Sequence, residues 1–210
     1  MKVKTILSNF ALLALMATVL VLADPLGLIR DADKYPAGSI SRAEGLQNWQ
    51  TFYAVASHPR CVNCHADSRP MWSGPSYDAT RPHDMNVQSG ESRSGAETLP
   101  CSTCHAALPA QNPEANRLPH TAPRIAGAWP MAPREAAWFG RSSREICEQL
   151  KDPARNGERT IAEVAAHIGH DLVLRWAWAP NGTREPTPHS VAETQDALLK
   201  WGAAGTPYPG

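Results

Sequence analysis

A five-residue pattern, Cys-x-x-Cys-His, occurs twice in the chain, at positions 61–65 and 101–105. Two thiols at this spacing can each form a thioether with one vinyl group of a single porphyrin, while the following histidine turns its imidazole onto the iron. Each copy therefore predicts one covalently attached c-type haem. The predicted attachment residues and iron ligands are Cys61, Cys64 and His65 in the first copy and Cys101, Cys104 and His105 in the second.

Two pairs of cysteines are also compatible with a four-thiolate zinc site or with two redox-active disulfides. Neither of these needs a histidine directly after the second cysteine, yet both copies have one. The chain also begins with an export signal, which suits haem attachment in the periplasm. We therefore favour two haems over zinc binding or disulfide chemistry.

Residues 1–23 have the three parts of a secretory signal peptide. Lys2 and Lys4 form a positive start, residues 10–22 are almost entirely apolar, and short side chains precede a cleavage point after Ala23. This pattern predicts a periplasmic protein. The alternative is a retained anchor, which is the only membrane contact we expect, but the apolar run is shorter than the ~20 residues that span a bilayer.

The rest of the chain predicts a linker at 24–39 and one dihaem cytochrome c domain at 40–208. The 35 residues between His65 and Cys101 are too few for a second domain with its own core, so both haems should share a fold and lie close together. Three Phe and four Tyr are few for 210 residues, and 19 Pro and 14 Gly favour irregular chain. The predicted class is mainly α, a single compact domain with long Pro/Gly-rich loops.

Four helices are predicted from Ser or Thr followed three positions later by Glu, the spacing of a capping box. They cover about 40–57, 142–151, a segment from 160 that contains His167, and 190–202. The pairs are Ser41 with Glu44, Ser142 with Glu145, Thr160 with Glu163, and Ser190 with Glu193. No sheet is predicted, and residues 66–100 should form a loop between the haem sites.

The chain has 20 basic and 20 acidic residues, and two of the basic ones lie in the signal segment. Four haem propionates would make the mature protein more acidic still. This balance argues against nucleic acid as a partner.

Several motifs in a fixed order resemble those of a family of exported proteobacterial dihaem cytochromes, often labelled as a subunit associated with isoquinoline 1-oxidoreductase. The resemblance covers about residues 40–208 and implies electron transfer with redox partner proteins, an oxidoreductase among them. The motifs are His58-Pro-Arg-Cys-Val-Asn-Cys-His65, His83-Asp-Met-Asn-Val87, Cys101-Ser-Thr-Cys-His105, Leu150-Lys-Asp-Pro-Ala-Arg-Asn-Gly157 and Trp176-Ala-Trp-Ala-Pro180.

The chain departs from that family at its C-terminal end. Family members often end in Gly-x-x-Cys-Pro, whereas here the matching stretch is Gly205-Thr-Pro-Tyr-Pro209. A disulfide to Cys147, which the resemblance implies for such members, is therefore not available in this chain.

We predict His83 and His167 as the iron ligands opposite His65 and His105. The loop that contains His83 is tethered at both ends by haem sites, and the helix that contains His167 can cover the remaining open face. The alternatives are Met85 and Met131 as thioether ligands, and His58 and His120 as imidazole ligands.

Arg155 and Arg159 flank an Asn-Gly turn and can hold haem propionates through charge-assisted hydrogen bonds, or can simply form a solvated basic turn. The predicted function is a periplasmic electron carrier in which both irons have two protein ligands. The alternative is a small peroxidase-like haem enzyme with one open iron.

Covalent attachment makes a direct prediction. The intact mass of the mature protein should exceed that of the processed polypeptide by two haem masses. Cys61→Ala and Cys101→Ala should each weaken attachment at one motif only. A mass that shows bound zinc, or no added group, would contradict the prediction.

Overall fold

The computed structural model describes residues 34–72, 80–96, 99–105, 130–180 and 184–210. The predicted signal peptide at 1–23 and the candidate ligand His120 lie outside these ranges. The described chain is mainly α, as predicted. Its helices are α1 Arg42–Ala56, α2 Pro59–Val62, α3 Cys101–Cys104, α4 Ser143–Lys151, α5 Pro153–Asn156, α6 Ile161–His170, α7 Leu172–Trp178 and α8 Val191–Ala203.

All four helices that were predicted from capping spacing are present, within one or two residues of the expected ends. At the starts of α4, α6 and α8 the capping is reciprocal: the hydroxyl accepts the N–H of the Glu, and the Glu side chain accepts the N–H of the capping residue. Ser41 caps α1 by accepting the N–H of Glu44. These local signals fix the helix starts independently of tertiary packing.

The expectation that residues 66–100 contain no sheet is wrong in detail. Two antiparallel pairs of two-residue strands form there, β1 Met71–Trp72 with β2 Arg81–Pro82, and β3 Gly95–Ala96 with β4 Leu99–Pro100. Gly95 has a φ of 129°, and a Cβ there would lie 2.6 Å from the backbone nitrogen of Cys101. Only glycine permits this close approach, which holds the end of the loop against the second motif.

The core lies where α1 crosses α8, with α6 packed on the other side of α8. Trp49 and Trp201 are fully buried there, with ring centroids 4.7 Å apart. Phe52 of α1 meets the edge of Trp138, with centroids 6.3 Å apart. Because α2 follows α1 almost directly, this core positions the first Cys-x-x-Cys-His motif.

Arg93 connects three parts of the irregular chain. Its buried guanidinium donates to the carbonyls of Ala66, Asp67 and Ala132 and to the hydroxyl of Ser89. A buried charge is tolerated when its donors are matched in this way. Arg93 therefore joins the end of the first motif to the inter-motif loop and to the segment before α4.

The C-terminal tail packs on α4 without a disulfide. Lys151 Nζ donates to the carbonyl of Thr206 and lies 3.5 Å from the ring centroid of Tyr208. Trp201 Nε1 donates to the carbonyl of Pro207 at 3.0 Å. Cys147 is a buried free thiol, and burial raises its pKa to about 11. A hydrogen bond and a cation–π contact thus hold this tail.

No helix in the described ranges is both long enough and apolar enough to cross a membrane.

Asp196 on α8 makes the free energy of unfolding depend on pH in the acid range. Burial raises its pKa, but hydrogen bonds from Lys34, Tyr35 and Lys200 outweigh this and lower it to about 2. A carboxylate whose folded pKa is lowered adds stability that is complete above its unfolded pKa of ~3.9 and is lost as the pH falls toward 2. Asp196→Asn should therefore cost about 1 kcal/mol at pH 7, after discounting for the solvent exposure of Lys34.

Urea unfolding from pH 7 to pH 2 measures this effect, with Glu148→Gln, an exposed ion-pair partner on α4, as the control. The gap between wild type and Asp196→Asn should close between pH 4 and pH 2. A gap that persists unchanged at pH 2 would contradict the assignment.

Candidate functional site

The first motif is built by a single helical turn. Pro59 occupies the first position of α2, and Cys61 and Cys64 are one turn apart, which puts their thiols on one face. Burial raises the pKa of Cys61 to about 12 and that of Cys64 to about 11. Thiol–disulfide catalysis requires a lowered cysteine pKa, so these two residues do not have the character of a redox dithiol.

His65 is held in one orientation from several directions. Its Nδ1 lies 2.8 Å from the carbonyl oxygen of Ala136, and its ring stacks on Trp138 with centroids 3.6 Å apart and planes 9° apart. Its own carbonyl accepts the N–H groups of Trp138 and Phe139. Because a carbonyl can only accept, Nδ1 carries the proton and Nε2 is left to bind a metal.

The protonation state of His65 also suits metal binding. Burial lowers its pKa to about 4; the hydrogen bond to Ala136 opposes this, and the charges of His167 and Arg93 lower it further. The imidazole is therefore neutral at neutral pH, which is the form that coordinates iron.

His167 lies near the first motif, since its charge acts on His65. It is on α6, and although the residue as a whole is exposed, partial burial of its ring lowers its pKa while Asp171 raises it. The structure thus places this predicted ligand on a helix that packs against α8, within electrostatic reach of His65.

His83 and His105 are neighbours at the second motif. Their ring centroids are 5.9 Å apart and their planes are perpendicular. Imidazoles that bind one metal from opposite sides, with nitrogens at ~2 Å from it, have centroids about 6 Å apart. His83 Nδ1 lies 2.8 Å from the carbonyl of Asp84, so Nε2 is again the nitrogen left for a metal. The spacing of this pair is compatible with both imidazoles binding one metal ion.

The alternative ligands are placed less well. Met85 is 84% exposed, and Met131 is buried beside Arg93, whose carbonyl accepts the Met131 N–H. His58 caps α2, and its Nδ1 accepts the N–H of Arg60 at 3.2 Å, which puts the ring proton on Nε2. A ring with both nitrogens used in this way has none left for iron.

Arg155 and Arg159 stay at the turn that ends α5. Arg159 Nη1 donates to the carbonyl of Asn156, and the Arg155 carbonyl accepts from Gln149. The charge of Arg159 lowers the pKa of His167, so Arg159 lies on the side of the first motif. Propionate binding by these two arginines stays a prediction.

The two motifs interact electrostatically. A charge on Cys101 raises the pKa of Cys64, although 37 positions separate them in sequence. All five cysteines are free thiols, and across the described ranges no group of three or more His, Cys, Asp or Glu side chains is arranged to hold a metal ion.

Sequence reasoning missed three residues near the sites, namely Trp138, Arg93 and Arg60. Trp138 and Arg93 act through contacts that are distant in sequence, so no local pattern marks them. Arg60 had a signal that was not used: it directly precedes Cys61, on a helix that carries the motif.

No family model, curated protein or solved structure matches this chain. The function is therefore inferred from the motifs of the chain itself and from the positions of four histidines, His65, His83, His105 and His167.

Proposed function

We propose that this chain is an exported electron carrier of the dihaem cytochrome c type, with each Cys-x-x-Cys-His motif attaching one haem. The observation that carries the proposal is His65, whose Nδ1–H is bonded to Ala136 while its neutral ring rests on Trp138. Haem supplies a one-electron iron couple when bound. The residues around each motif would hold it and supply its ligands.

At the first motif, Trp138 and Ala136 prevent His65 from rotating, so Nε2 keeps one direction. Trp138 is itself anchored, because its Nε1 donates to Gln149 Oε1 at 2.8 Å. His167 is proposed as the opposite ligand, approaching from α6. A ligand pair fixed by the protein requires little rearrangement when the iron changes oxidation state, which favours rapid electron transfer.

At the second motif, His105 and His83 are proposed as the ligand pair. His105 directly follows the single turn of α3, and His83 precedes a 3₁₀ turn at Asp84–Asn86. An ion pair between Arg81 and Asp84 joins the two sides of His83. Both irons would then have two imidazole ligands, with no side open to substrate.

The electrostatic interaction between Cys64 and Cys101 supports one electron-transfer unit rather than two independent sites. The partner is proposed to be a redox protein in the periplasm, as the resemblance implies. With the added propionates the carrier is acidic, so a basic docking face is expected on that partner.

The ligand assignment is tested by single substitutions in the holo-protein. His83→Ala and His167→Ala should each turn one haem high-spin, with carbon monoxide bound to that iron after reduction, while the other haem stays low-spin. Met85→Ala, from the segment of His83, and His58→Ala, at the start of α2, are controls and should leave both haems low-spin. If Met85→Ala opens an iron and His83→Ala does not, ligation at that site is His/Met and the assignment is wrong.

The carrier function is tested by adding peroxide and, separately, by varying the ionic strength. If both irons have two protein ligands, as proposed, the purified holo-protein should not turn over hydrogen peroxide with an electron donor, whereas His167→Ala should gain measurable turnover. Electron transfer to a basic redox protein should slow as ionic strength rises. Rapid peroxide turnover by the wild type would favour the small haem enzyme instead.

A further inference from the structure

Three arginines and two tryptophans alternate beside the first motif. The Arg60 guanidinium carbon lies 5.4 Å from the Trp176 ring centroid, and that of Arg184 lies 5.3 Å from the same ring. Arg184 also lies 5.6 Å from Trp72, against which Arg81 packs at 4.5 Å. We call these five residues the Arg–Trp stack. It runs from exposed Arg81 on β2 to buried Arg60 on α2, so it concentrates positive charge between the segments that carry the two motifs.

Arg60 is the unusual member of the stack. Only 6% of it is exposed, yet its Nε and Nη1 atoms have no hydrogen-bond partner, and the buried Nε1 of Trp176 has none either. Arg60 also forms no ion pair with a carboxylate of the described chain. A buried charge left in this state is destabilising, because its lost hydration is not replaced.

Arg93 shows how this chain treats a buried arginine when the protein supplies the partners. Its exposure is similar, at 7%, but its Nε, Nη1 and Nη2 atoms all donate to carbonyl or hydroxyl oxygens. The difference indicates that the partner of Arg60 does not belong to the part of the chain that the structure describes.

The surroundings of Arg60 define the chemistry of that partner. The positive charges of Arg60 and Arg184 both act on the Cys64 thiol. The one acidic group that acts on neighbouring His58 is Glu185, which is exposed. Two guanidinium groups and an indole N–H, all donors, favour a small planar anion that accepts several hydrogen bonds.

We propose that Arg60, Trp176 and Arg184 form a carboxylate-binding site beside the first motif. The carboxylate has two sources: a propionate of one of the haems, which rests on the proposed function, or a small free carboxylate from solution. Propionates leave the porphyrin on the side away from its thioethers, so the haem attached at the other motif is the better placed donor for a site next to Cys61.

Thermal unfolding of the holo-protein tests the site itself. Arg60→Met removes the charge and keeps an unbranched side chain of similar volume, and Trp176→Phe removes the N–H donor and keeps an aromatic ring, although a smaller one. Both should lower the Tm, because each leaves a bound carboxylate short of donors. Arg175→Gln, an exposed arginine next to Trp176 on α7, is the control and should leave the Tm unchanged.

The result that overturns the proposal is equally clear. If no carboxylate binds, replacing a buried unpaired charge by an apolar residue of similar volume should leave the Tm unchanged or raise it. Arg60→Met melting at or above the wild-type temperature, with and without added acetate, would therefore end the proposal. Intact mass is measured on every variant, so that loss of haem is not mistaken for loss of the site.

Reduction potentials and acetate distinguish the two sources. For a propionate, Arg60→Met should lower the equilibrium constant for reduction of one haem by about tenfold, which is about 59 mV for one electron, and acetate at constant ionic strength should not change the wild-type Tm. For a free carboxylate, acetate should raise the wild-type Tm to a plateau and leave Arg60→Met unaffected. A wild type without covalent haem would refute the proposed function, while the acetate titration would still decide whether the site exists.

Discussion

The fixed ring of His65 is the constraint on which the site depends. The Ala136 carbonyl, the face of Trp138 and two backbone N–H groups hold this residue and its carbonyl. Trp138 connects His65 to α4 through its hydrogen bond to Gln149, and to α1 through its edge contact with Phe52. The first motif is therefore part of the helical core, although the chain around it is irregular.

Two buried arginines of the described chain, Arg93 and Arg60, differ in whether the protein supplies their partners. Arg93 substitutes for regular secondary structure, because its guanidinium ties together loop segments that form few ladder hydrogen bonds of their own. Arg60 is buried to a similar extent, but its Nε and Nη1 atoms form no hydrogen bond with the described chain, which is why we propose an anion as its partner. Arg93 therefore stabilises the fold, whereas Arg60 is proposed to bind an anion.

The parts that could be predicted from sequence are those with local causes. Ser142 and Glu145 set the start of α4 within four residues, and the two cysteine motifs specify their own chemistry by spacing. The strands β1 to β4 are each two residues long, which is too short to show the alternation of apolar and polar residues that identifies a strand in sequence. The contact between His65 and Ala136 spans 71 positions, and no pattern in either segment indicates it. The capping role of His58 had a readable signal, since Pro59 after it marks the first turn of a helix.

The most direct test of the account is the low-temperature electron paramagnetic resonance spectrum of the oxidised wild-type protein, taken together with its near-infrared magnetic circular dichroism. Two covalent haems that each have two imidazole ligands should give only low-spin ferric signals, with the charge-transfer energies of bis-histidine ligation and an intensity of two irons per chain. A high-spin ferric signal of one iron per chain, or a His/Met charge-transfer band, would contradict the assignment of His83 and His167. The absence of any haem signal would contradict the account as a whole.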